Sequence, residues 1–275
     1  MPWYAGTSGS RLWYEECGAG TPIVFIHGWC MSSAVWSRQR SGLSASFRVI
    51  TVDLPGHGKS TPGAAGFYLK VCVGEIAGLC EHLDLHNALL AGWSLGSLIA
   101  LESFASIRAR LAGLVLIAGT PRFTQGDGFP HGLSRIEVDG MTRKFQRSMQ
   151  RAIEGFTARM FAPGELDDPS LAAMVAELLA AVPMPTAAVA LQALDVLVEA
   201  DLRERLAVID LPTLVMNGDG DVICLPQASE YMAGRIPLAR QIVFAGCGHA
   251  PFLTQSTGFN TCLVDFRGMV SGREH

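Results

Sequence analysis

Three side chains of the types that act together in nucleophilic catalysis are widely separated in this sequence: Ser94, Asp221 and His249. A serine hydroxyl is too weak an acid to attack a carbonyl carbon unaided, so it needs a base whose pKa lies near neutrality, and imidazole is that base. A carboxylate on the far ring nitrogen holds the imidazole in the productive tautomer. The chain order Ser, Asp, His therefore predicts a catalytic triad that attacks a carbonyl group.

Ser94 is the central residue of the G-x-S-x-G motif Gly92-Trp93-Ser94-Leu95-Gly96. The apolar run before the motif predicts a buried strand, and the residues from Leu95 to Ala105 predict a helix. Small residues on both sides of the serine let strand and helix approach closely, which leaves the hydroxyl at the apex of a tight turn. The alternative is an ordinary strand-to-helix turn in which the serine caps the helix.

A second loop is expected beside Ser94. The strand over residues 22–26 ends in His27-Gly28-Trp29-Cys30, and loops at the carboxyl ends of central strands open into the ligand crevice of α/β proteins. We predict that the backbone N–H groups of Trp29 and Leu95 form an oxyanion hole, in which each donor is worth about 3 to 4 kcal/mol. Trp29 is also expected to line the pocket, and His27 to hydrogen-bond its own loop.

Asp219 competes with Asp221 for the place of the triad carboxylate, because both lie in Gly218-Asp219-Gly220-Asp221. We favour Asp221, which lies deeper in the loop, and expect Asp219 to cap the loop or face solvent. No metal site and no cofactor are expected, since no two of His27, His57 and His249 share a local ligand spacing. Four other histidines are predicted to lie on the surface: His82, His86, His131 and His275.

The elements that must position these residues alternate between strand and helix. Besides the strand before Ser94, strands are predicted over residues 12–16, 22–26, 48–53, 113–118, 211–216 and 241–244, and helices over 32–46 and 68–83. From about Phe123 to Ala207 the sequence is helical and has no convincing strand. We therefore predict an α/β fold, with a mostly parallel sheet flanked by helices and an inserted helical lid.

The predicted division of the chain follows from this pattern. Residues 1–121 form the first part of the core, residues 122–207 form the lid, and residues 208–275 form the second part of the core, which carries Asp221 and His249. A lid inserted at this place is expected to cover the pocket.

Composition limits the partners and the location. The chain has 275 residues, of which 49% are hydrophobic and 17% charged, and a formal net charge of −4 that gives no general attraction to nucleic acid or anionic membranes. No apolar run is long enough to span a bilayer, and the first residues lack the order of a signal peptide. We expect a cytoplasmic monomer, with no nucleic-acid or membrane partner, whose seven scattered cysteines are reduced.

The whole chain resembles the α/β-hydrolases through His27-Gly28-Trp29, the segment 53–58 and the motif around Ser94. It is also similar to the pimeloyl-[acyl-carrier protein] methyl ester carboxylesterases of biotin synthesis, because it shares Gly-Trp-Ser-Leu-Gly, Pro-Met-Pro at 183–185 and His-Ala-Pro-Phe at 249–252. This resemblance implies hydrolysis of the methyl ester of a pimeloyl chain carried on the phosphopantetheine of an acyl-carrier protein. Two departures are Cys30, where the family usually has glycine, and residues 165–185, which lack the further arginines of the family's lid.

Part of the predicted lid has a basic face and an apolar face. Arginines recur every four residues at Arg143, Arg147 and Arg151, which predicts a basic stripe on one helix face. The opposite face carries an apolar stripe: Phe145, Met149, Ala152, Ile153, Phe156 and Met160. The plain interpretation is a solvated face over a core face. Since acyl-carrier proteins are acidic, the stripe is also where one would dock, with Phe156 facing the acyl chain.

The substrate-binding residues predicted in this way are Trp29, Ser94, Leu95, Phe156, Arg147 and Arg151. Two other functions stay open on the sequence alone. One is a different hydrolase of the same fold, either a general short-chain carboxylesterase or a carbon–carbon bond hydrolase. The other is a member of the fold that binds a small molecule without turnover.

Overall fold

The β-branched and apolar runs of the sequence form a single eight-stranded sheet in the computed structural model, which describes residues 2–271. The strands are β1 (Trp3–Ala5), β2 (Arg11–Cys17), β3 (Thr21–Ile26), β4 (Phe47–Val52), β5 (Ala88–Trp93), β6 (Leu111–Ile117), β7 (Thr213–Gly218) and β8 (Ala239–Phe244). Their order across the sheet is β1-β2-β4-β3-β5-β6-β7-β8. Only β1 and β2 run antiparallel to their neighbours, so the predicted mostly parallel sheet is confirmed.

Helices cover both faces of this sheet. Every residue of the central strand β5 is buried, as expected for a parallel strand that is covered on both sides. The core helices are α1 (Ser37–Leu43), α2 (Leu69–His82), α3 (Leu95–Ile107), α8 (Pro226–Ala233), α9 (Pro251–Thr254) and α10 (Ser256–Ser271). Helices α2 and α3 pack together, and α1, α9 and α10 form a second group. Because strands β3 to β8 run parallel, their carboxyl ends lie along one edge of the sheet.

Four helices lie between β6 and β7, within residues 122–207, which we name the helical insertion. They are α4 (Arg135–Arg147), α5 (Met149–Ala158), α6 (Pro169–Ala180) and α7 (Ala187–Glu199). Each begins after a capping side chain that accepts a backbone N–H: Ser134, Ser148, Asp168 and Thr186. The two ends of the insertion meet, because Leu202 donates to the Pro121 carbonyl at 2.8 Å and Arg122 pairs with Asp201 at 2.9 Å.

The helices differ from the sequence predictions at two places. The single helix predicted to carry the basic stripe is broken at Ser148, whose extended backbone (φ −161°, ψ 99°) ends α4 and begins α5. Arg143 and Arg147 therefore lie on α4 and Arg151 on α5. The helix predicted over residues 32–46 starts as a 3-10 turn at Ser33 and continues as the short α1.

Three of the four histidines predicted to lie on the surface fall within the described residues. His82 and His86 are exposed and His131 is half-buried, whereas the prediction for His275 falls outside the described residues. No helix within residues 2–271 combines the length and the apolar character that crossing a bilayer requires.

Candidate active site

Ser94 occupies the turn between β5 and α3 in a conformation that few residues adopt. Its backbone has φ 54° and ψ −114°, a strained region that costs roughly 1 to 3 kcal/mol. A Cβ atom at Gly92 would lie 2.1 Å from the Gly96 carbonyl oxygen, so only glycine lets strand and helix come this close. The Ser94 N–H donates to the Ile117 carbonyl at 2.9 Å, which ties the turn to β6.

Asp221 and His249 come together on loops that follow β7 and β8, at the same edge of the sheet. The Nδ1 atom of His249 lies 2.7 Å from Oδ2 of Asp221, and both side chains are fully buried. The other oxygen, Oδ1, accepts the N–H groups of Ile223 at 2.8 Å and Cys224 at 3.0 Å. Three hydrogen bonds therefore fix the carboxylate, which in turn fixes the orientation of the imidazole.

Asp219, the competing carboxylate, points elsewhere. It is exposed, and its Oδ1 atom accepts the Gly246 N–H at 2.8 Å. This contact joins the two loops that follow β7 and β8. Of the two aspartates, the structure brings only Asp221 to His249.

The second ring nitrogen of His249 is buried and unpaired. Its Nε2 atom has no hydrogen-bond partner in residues 2–271. The Ser94 hydroxyl contacts the thiol of Cys224, a contact that opposes the rise in the pKa of Cys224 caused by burial. The Ser94 hydroxyl and Nε2 therefore make no hydrogen bond in this structure, and hydrogen bonds of this kind often tighten only when substrate is bound.

The two backbone N–H groups predicted to form an oxyanion hole follow neighbouring strands. Trp29 follows β3 and Leu95 begins α3 beside β5, and these strands are neighbours in the sheet. Neither N–H donates a hydrogen bond within the described part of the chain. The Trp29 side chain is held by its Nε1–H, which donates to the Ala190 carbonyl of the helical insertion at 2.8 Å. The loop that carries this N–H is thus anchored to the helical insertion.

Cys30 adopts a conformation that favours glycine. Its φ of 55° lies in the left-handed region, which costs a residue with a Cβ atom about 1 to 2 kcal/mol. Met31 donates to the Gly28 carbonyl at 3.2 Å and closes the turn. Glycine at this position, as in the family that the sequence resembles, would relieve the strain without changing the path of the chain.

Phe156, on α5 of the helical insertion, faces the imidazole of His249. Its ring centre is 6.4 Å from that of His249 and 5.1 Å from that of Trp29. Phe156 also lines a cavity of about 310 Å³, whose apolar floor includes Met141, Trp29 and Phe156. The cations at its rim are Lys144, Arg151 and Arg159.

The predicted insertion residues thus have different surroundings. Arg151 lines this cavity, whereas Arg147 is exposed on α4 and does not line it. Sequence reasoning missed Arg159, although it follows Arg151 by eight residues and so continues the four-residue spacing. It also missed the contact of Cys224 with Ser94, for which the sequence offers no signal. A second cavity, of about 580 Å³, lies between α6 and the start of α1. None of Ser94, Asp221 and His249 lines it.

His27 is held by its own loop. Its Nε2 atom accepts the Leu54 N–H at 3.0 Å, and Nδ1 donates to the Gly28 carbonyl at 2.8 Å, so the ring is neutral. Burial lowers the pKa of His27 to about 4. Burial, together with the neighbouring His27, lowers the pKa of His57 to about 3. No group of side chains in residues 2–271 has the composition of a metal site.

Known proteins resemble this chain along nearly its whole length. A model of the alpha/beta hydrolase fold matches residues 21–256, which include Ser94, Asp221 and His249. The pimeloyl-[acyl-carrier protein] methyl ester esterase of Yersinia enterocolitica is 32% identical over 261 residues, which span 93% of this chain and 97% of that protein. The protein of the same name from Nitrosomonas europaea is 32% identical over 249 residues, which span 90% of this chain and 96% of that protein.

Solved structures agree with this relationship at the level of fold. An esterase from Exiguobacterium antarcticum superposes with a TM-score of 0.89 and 29% identity, over 97% of this chain and 98% of its own. A thermophilic esterase from Thermogutta terrifontis superposes with a TM-score of 0.82 and 27% identity, over 96% of both chains. The arrangement of sheet and helices in this chain is therefore shared with esterases.

Proposed function

Because this chain belongs to the α/β-hydrolase family, we propose that it is a serine carboxylesterase that hydrolyses the methyl ester of pimeloyl-[acyl-carrier protein] in biotin biosynthesis. The products are pimeloyl-[acyl-carrier protein] and methanol. The assignment of substrate is supported by relatives of that name, which match 90% or more of the chain. The observation that carries the chemistry is the 2.7 Å contact between Asp221 and His249, which leaves Nε2 free beside the Ser94 turn.

In the first half of the reaction, Ser94 attacks the carbonyl carbon of the ester while Nε2 of His249 takes its proton. Asp221 accepts a hydrogen bond from Nδ1–H and stabilises the imidazolium. The tetrahedral intermediate collapses as His249 returns the proton to the methoxy oxygen. Methanol leaves, and the pimeloyl chain stays bound to the Ser94 oxygen as an acyl-enzyme.

In the second half, a water molecule replaces methanol. His249 takes a proton from this water as its oxygen attacks the acyl carbonyl, and then returns the proton to Ser94. In both halves the negative charge on the carbonyl oxygen is held by the N–H groups of Trp29 and Leu95. The start of α3 adds its positive end to the same point.

We propose that residues 122–207 act as a lid over the core formed by residues 1–121 and 208–275. The cavity in this insertion has an apolar floor at Trp29 and Phe156, which suits an acyl chain, and a rim of cations, which suits the phosphate of the phosphopantetheine arm. Arg147 and Arg151 are exposed on the same part of the insertion. An acidic acyl-carrier protein would be attracted to this surface in a salt-dependent way.

We place this reaction in the cytoplasm and expect a monomer without a cofactor. All seven cysteines are free thiols, as is usual for proteins of reducing compartments. The net charge of −4 supports the absence of a nucleic-acid or membrane partner.

A general carboxylesterase is the second candidate, favoured by the structural likeness to the esterase of Exiguobacterium antarcticum. The two functions differ in the role of the carrier protein. The proposed enzyme should prefer the methyl ester on an acyl-carrier protein to the same ester as a free small molecule, whereas a general esterase should not.

Substitution Ser94→Ala tests the reaction itself. We expect it to abolish the release of methanol from pimeloyl-[acyl-carrier protein] methyl ester, because no other side chain can form the acyl-enzyme, while the fold is retained. The measurement is mass spectrometry of the carrier-bound product. Ser103→Ala, on the helix α3 that follows Ser94 and also buried, is the matched control. Turnover by Ser94→Ala, or no turnover by the wild-type chain, would refute the proposal.

A further inference from the structure

The loop that carries His249 is hydrogen-bonded to the helical insertion through its backbone. The His249 N–H donates to the Met160 carbonyl at 2.7 Å. The preceding residue, Gly248, donates its N–H to Oε2 of Glu165, also at 2.7 Å. Both acceptors lie in the segment from Met160 to Glu165, which follows α5. Two successive N–H groups of the catalytic loop are thus held by the insertion and not by the sheet.

The carboxylate of Glu165 joins three parts of the chain. Its Oε2 atom also accepts the Ala162 N–H at 2.7 Å, which fixes the side chain against its own segment. Its Oε1 atom accepts the hydroxyl of Thr254 at 2.5 Å, and Thr254 ends the short helix α9 that follows the His249 loop. Hydrogen bonds to an ionised acceptor are shorter and about twice as strong as neutral ones. Glu165 therefore holds the His249 loop on both of its sides.

Two glycines allow this close packing. A Cβ atom at Gly248 would lie 2.3 Å from the Met160 carbonyl oxygen, and one at Gly220 would lie 2.7 Å from the Cβ of Ala162. Gly220 directly precedes Asp221. The loops of both Asp221 and His249 thus pack directly against the Met160–Glu165 segment.

We propose that Glu165 is a positioning residue, which acts on catalysis by holding the His249 loop so that the imidazole faces both Asp221 and Ser94. The inference rests on the proposed function only in taking these three residues as the working site. It does not depend on the pimeloyl chain or on the carrier protein. A displacement of about 1 Å in a catalytic group can lower a rate about 100-fold, so loss of the Glu165 contacts can lower turnover.

The test uses the rate at which a fluorophosphonate labels Ser94, together with kcat and KM for a p-nitrophenyl ester of a short acid. We expect Glu165→Ala to lower the labelling rate and kcat about 10- to 100-fold with KM nearly unchanged, since substrate contacts are kept. The final labelled fraction should equal that of the wild-type chain. An equal fraction would show that the variant is folded and reacts slowly, because unfolded molecules would not be labelled. Glu177→Ala, an exposed carboxylate on α6, is the matched control and should label at the wild-type rate.

Glu165→Gln distinguishes positioning from charge. Its amide oxygen can accept the N–H groups of Ala162 and Gly248, and its amide nitrogen can donate to the Thr254 oxygen. We expect this variant to recover most of the wild-type rate. In proton NMR, the low-field signal of the hydrogen bond between Asp221 and His249 should persist in Glu165→Gln and broaden in Glu165→Ala.

Thr254→Val removes one of the three contacts and leaves the carboxylate in place. It should lower the labelling rate less than Glu165→Ala does, and add nothing further in the double variant, because the two residues act through one contact. Equal labelling rates for the wild-type chain and Thr254→Val, or a Glu165→Gln rate as low as that of Glu165→Ala, would overturn the proposal. Failure of the wild-type chain to label would instead count against the proposed function.

Discussion

Both oxygens of the Asp221 carboxylate accept hydrogen bonds, and together these bonds orient the His249 ring. One oxygen is occupied by the N–H groups of Ile223 and Cys224, and the other is left for the His249 ring. An ionised carboxylate can only accept, so Nδ1 of His249 must carry the hydrogen and Nε2 must be the acceptor. The tautomer that Ser94 needs is therefore set before any substrate binds.

Substitution Asp221→Asn should keep this geometry but remove the constraint on the tautomer. An amide can donate to Nδ1, which would place the ring hydrogen on Nε2, where it cannot accept the Ser94 proton. We expect kcat for any ester substrate to fall about 10⁴-fold. Steady-state kinetics on a p-nitrophenyl ester measure the effect. Asp219→Asn is the matched control, and a similar loss in that variant would contradict the assignment.

Sequence reasoning could identify these residues but not their contacts. Ser94 was predictable because a motif, a strand and a helix coincide there. The choice of Asp221 over Asp219 rested only on depth in the loop, whereas the structure explains it by the separate bond from Gly246 to Asp219. The Glu165 contact could not be predicted, because it joins residues 83 positions apart through a backbone N–H of an otherwise unremarked glycine.

At the scale of elements, the helical insertion shows where periodicity fails. The four-residue spacing of arginines continues through Ser148, so the sequence predicts one helix. Serine is a good capping residue, however, and its side chain accepts the Arg151 N–H at 3.4 Å, which favours a new helix start over continuation. The strand β1 was missed for a different reason, since three residues are too few to show alternation.

Because α5 begins after the break at Ser148, Arg151 lies on α5 at the rim of the cavity that Trp29 and Phe156 line. Its role in docking a carrier protein can be tested. Substitution Arg151→Glu should lower kcat/KM for the carrier-bound methyl ester about tenfold or more at low salt, and change that for a p-nitrophenyl ester little, because only the carrier protein is acidic. Added salt should reduce the difference. The measurement is kcat/KM for both substrates over a range of ionic strength.

A matched control for that experiment is Arg240→Glu, which makes the same change of charge. Arg240 lies at the start of β8, at the sheet edge opposite the strand ends that carry the site. Equal losses on both substrates for Arg151→Glu, or an equal loss for Arg240→Glu, would show that the insertion does not dock a carrier protein.

Besides His249, the described residues 2–271 of the molecule contain two buried neutral histidines, His27 and His57, that link its stability to pH. The pKa values of His27 and His57 in the folded chain, about 4 and about 3, lie below the value of about 6.5 expected for an unfolded chain. Between pH 6.5 and 4 the unfolded chain therefore binds two protons that the folded chain does not. The stability from these groups is present above pH 6.5 and is lost as the pH falls through that window.

We expect the free energy of unfolding to fall by about 3 kcal/mol between pH 7.5 and pH 5.5, at about 1.4 kcal/mol for each histidine. Urea unfolding at the two pH values measures the loss. In His57→Gln the loss should be about half as large. The exposed His86 supplies the control, because His86→Gln should leave the loss unchanged. A wild-type chain that is equally stable at both pH values would contradict this account.

The meeting of Pro121 with Leu202, and of Arg122 with Asp201, has an evolutionary consequence. A segment whose entry and exit lie side by side can be exchanged as a cassette while β6 and β7 stay paired. New substrate preferences can arise by such grafting without rebuilding the sheet. The graft must, however, supply its own acceptor for the Gly248 N–H, so a chimaera that lacks one would fold and yet turn over slowly.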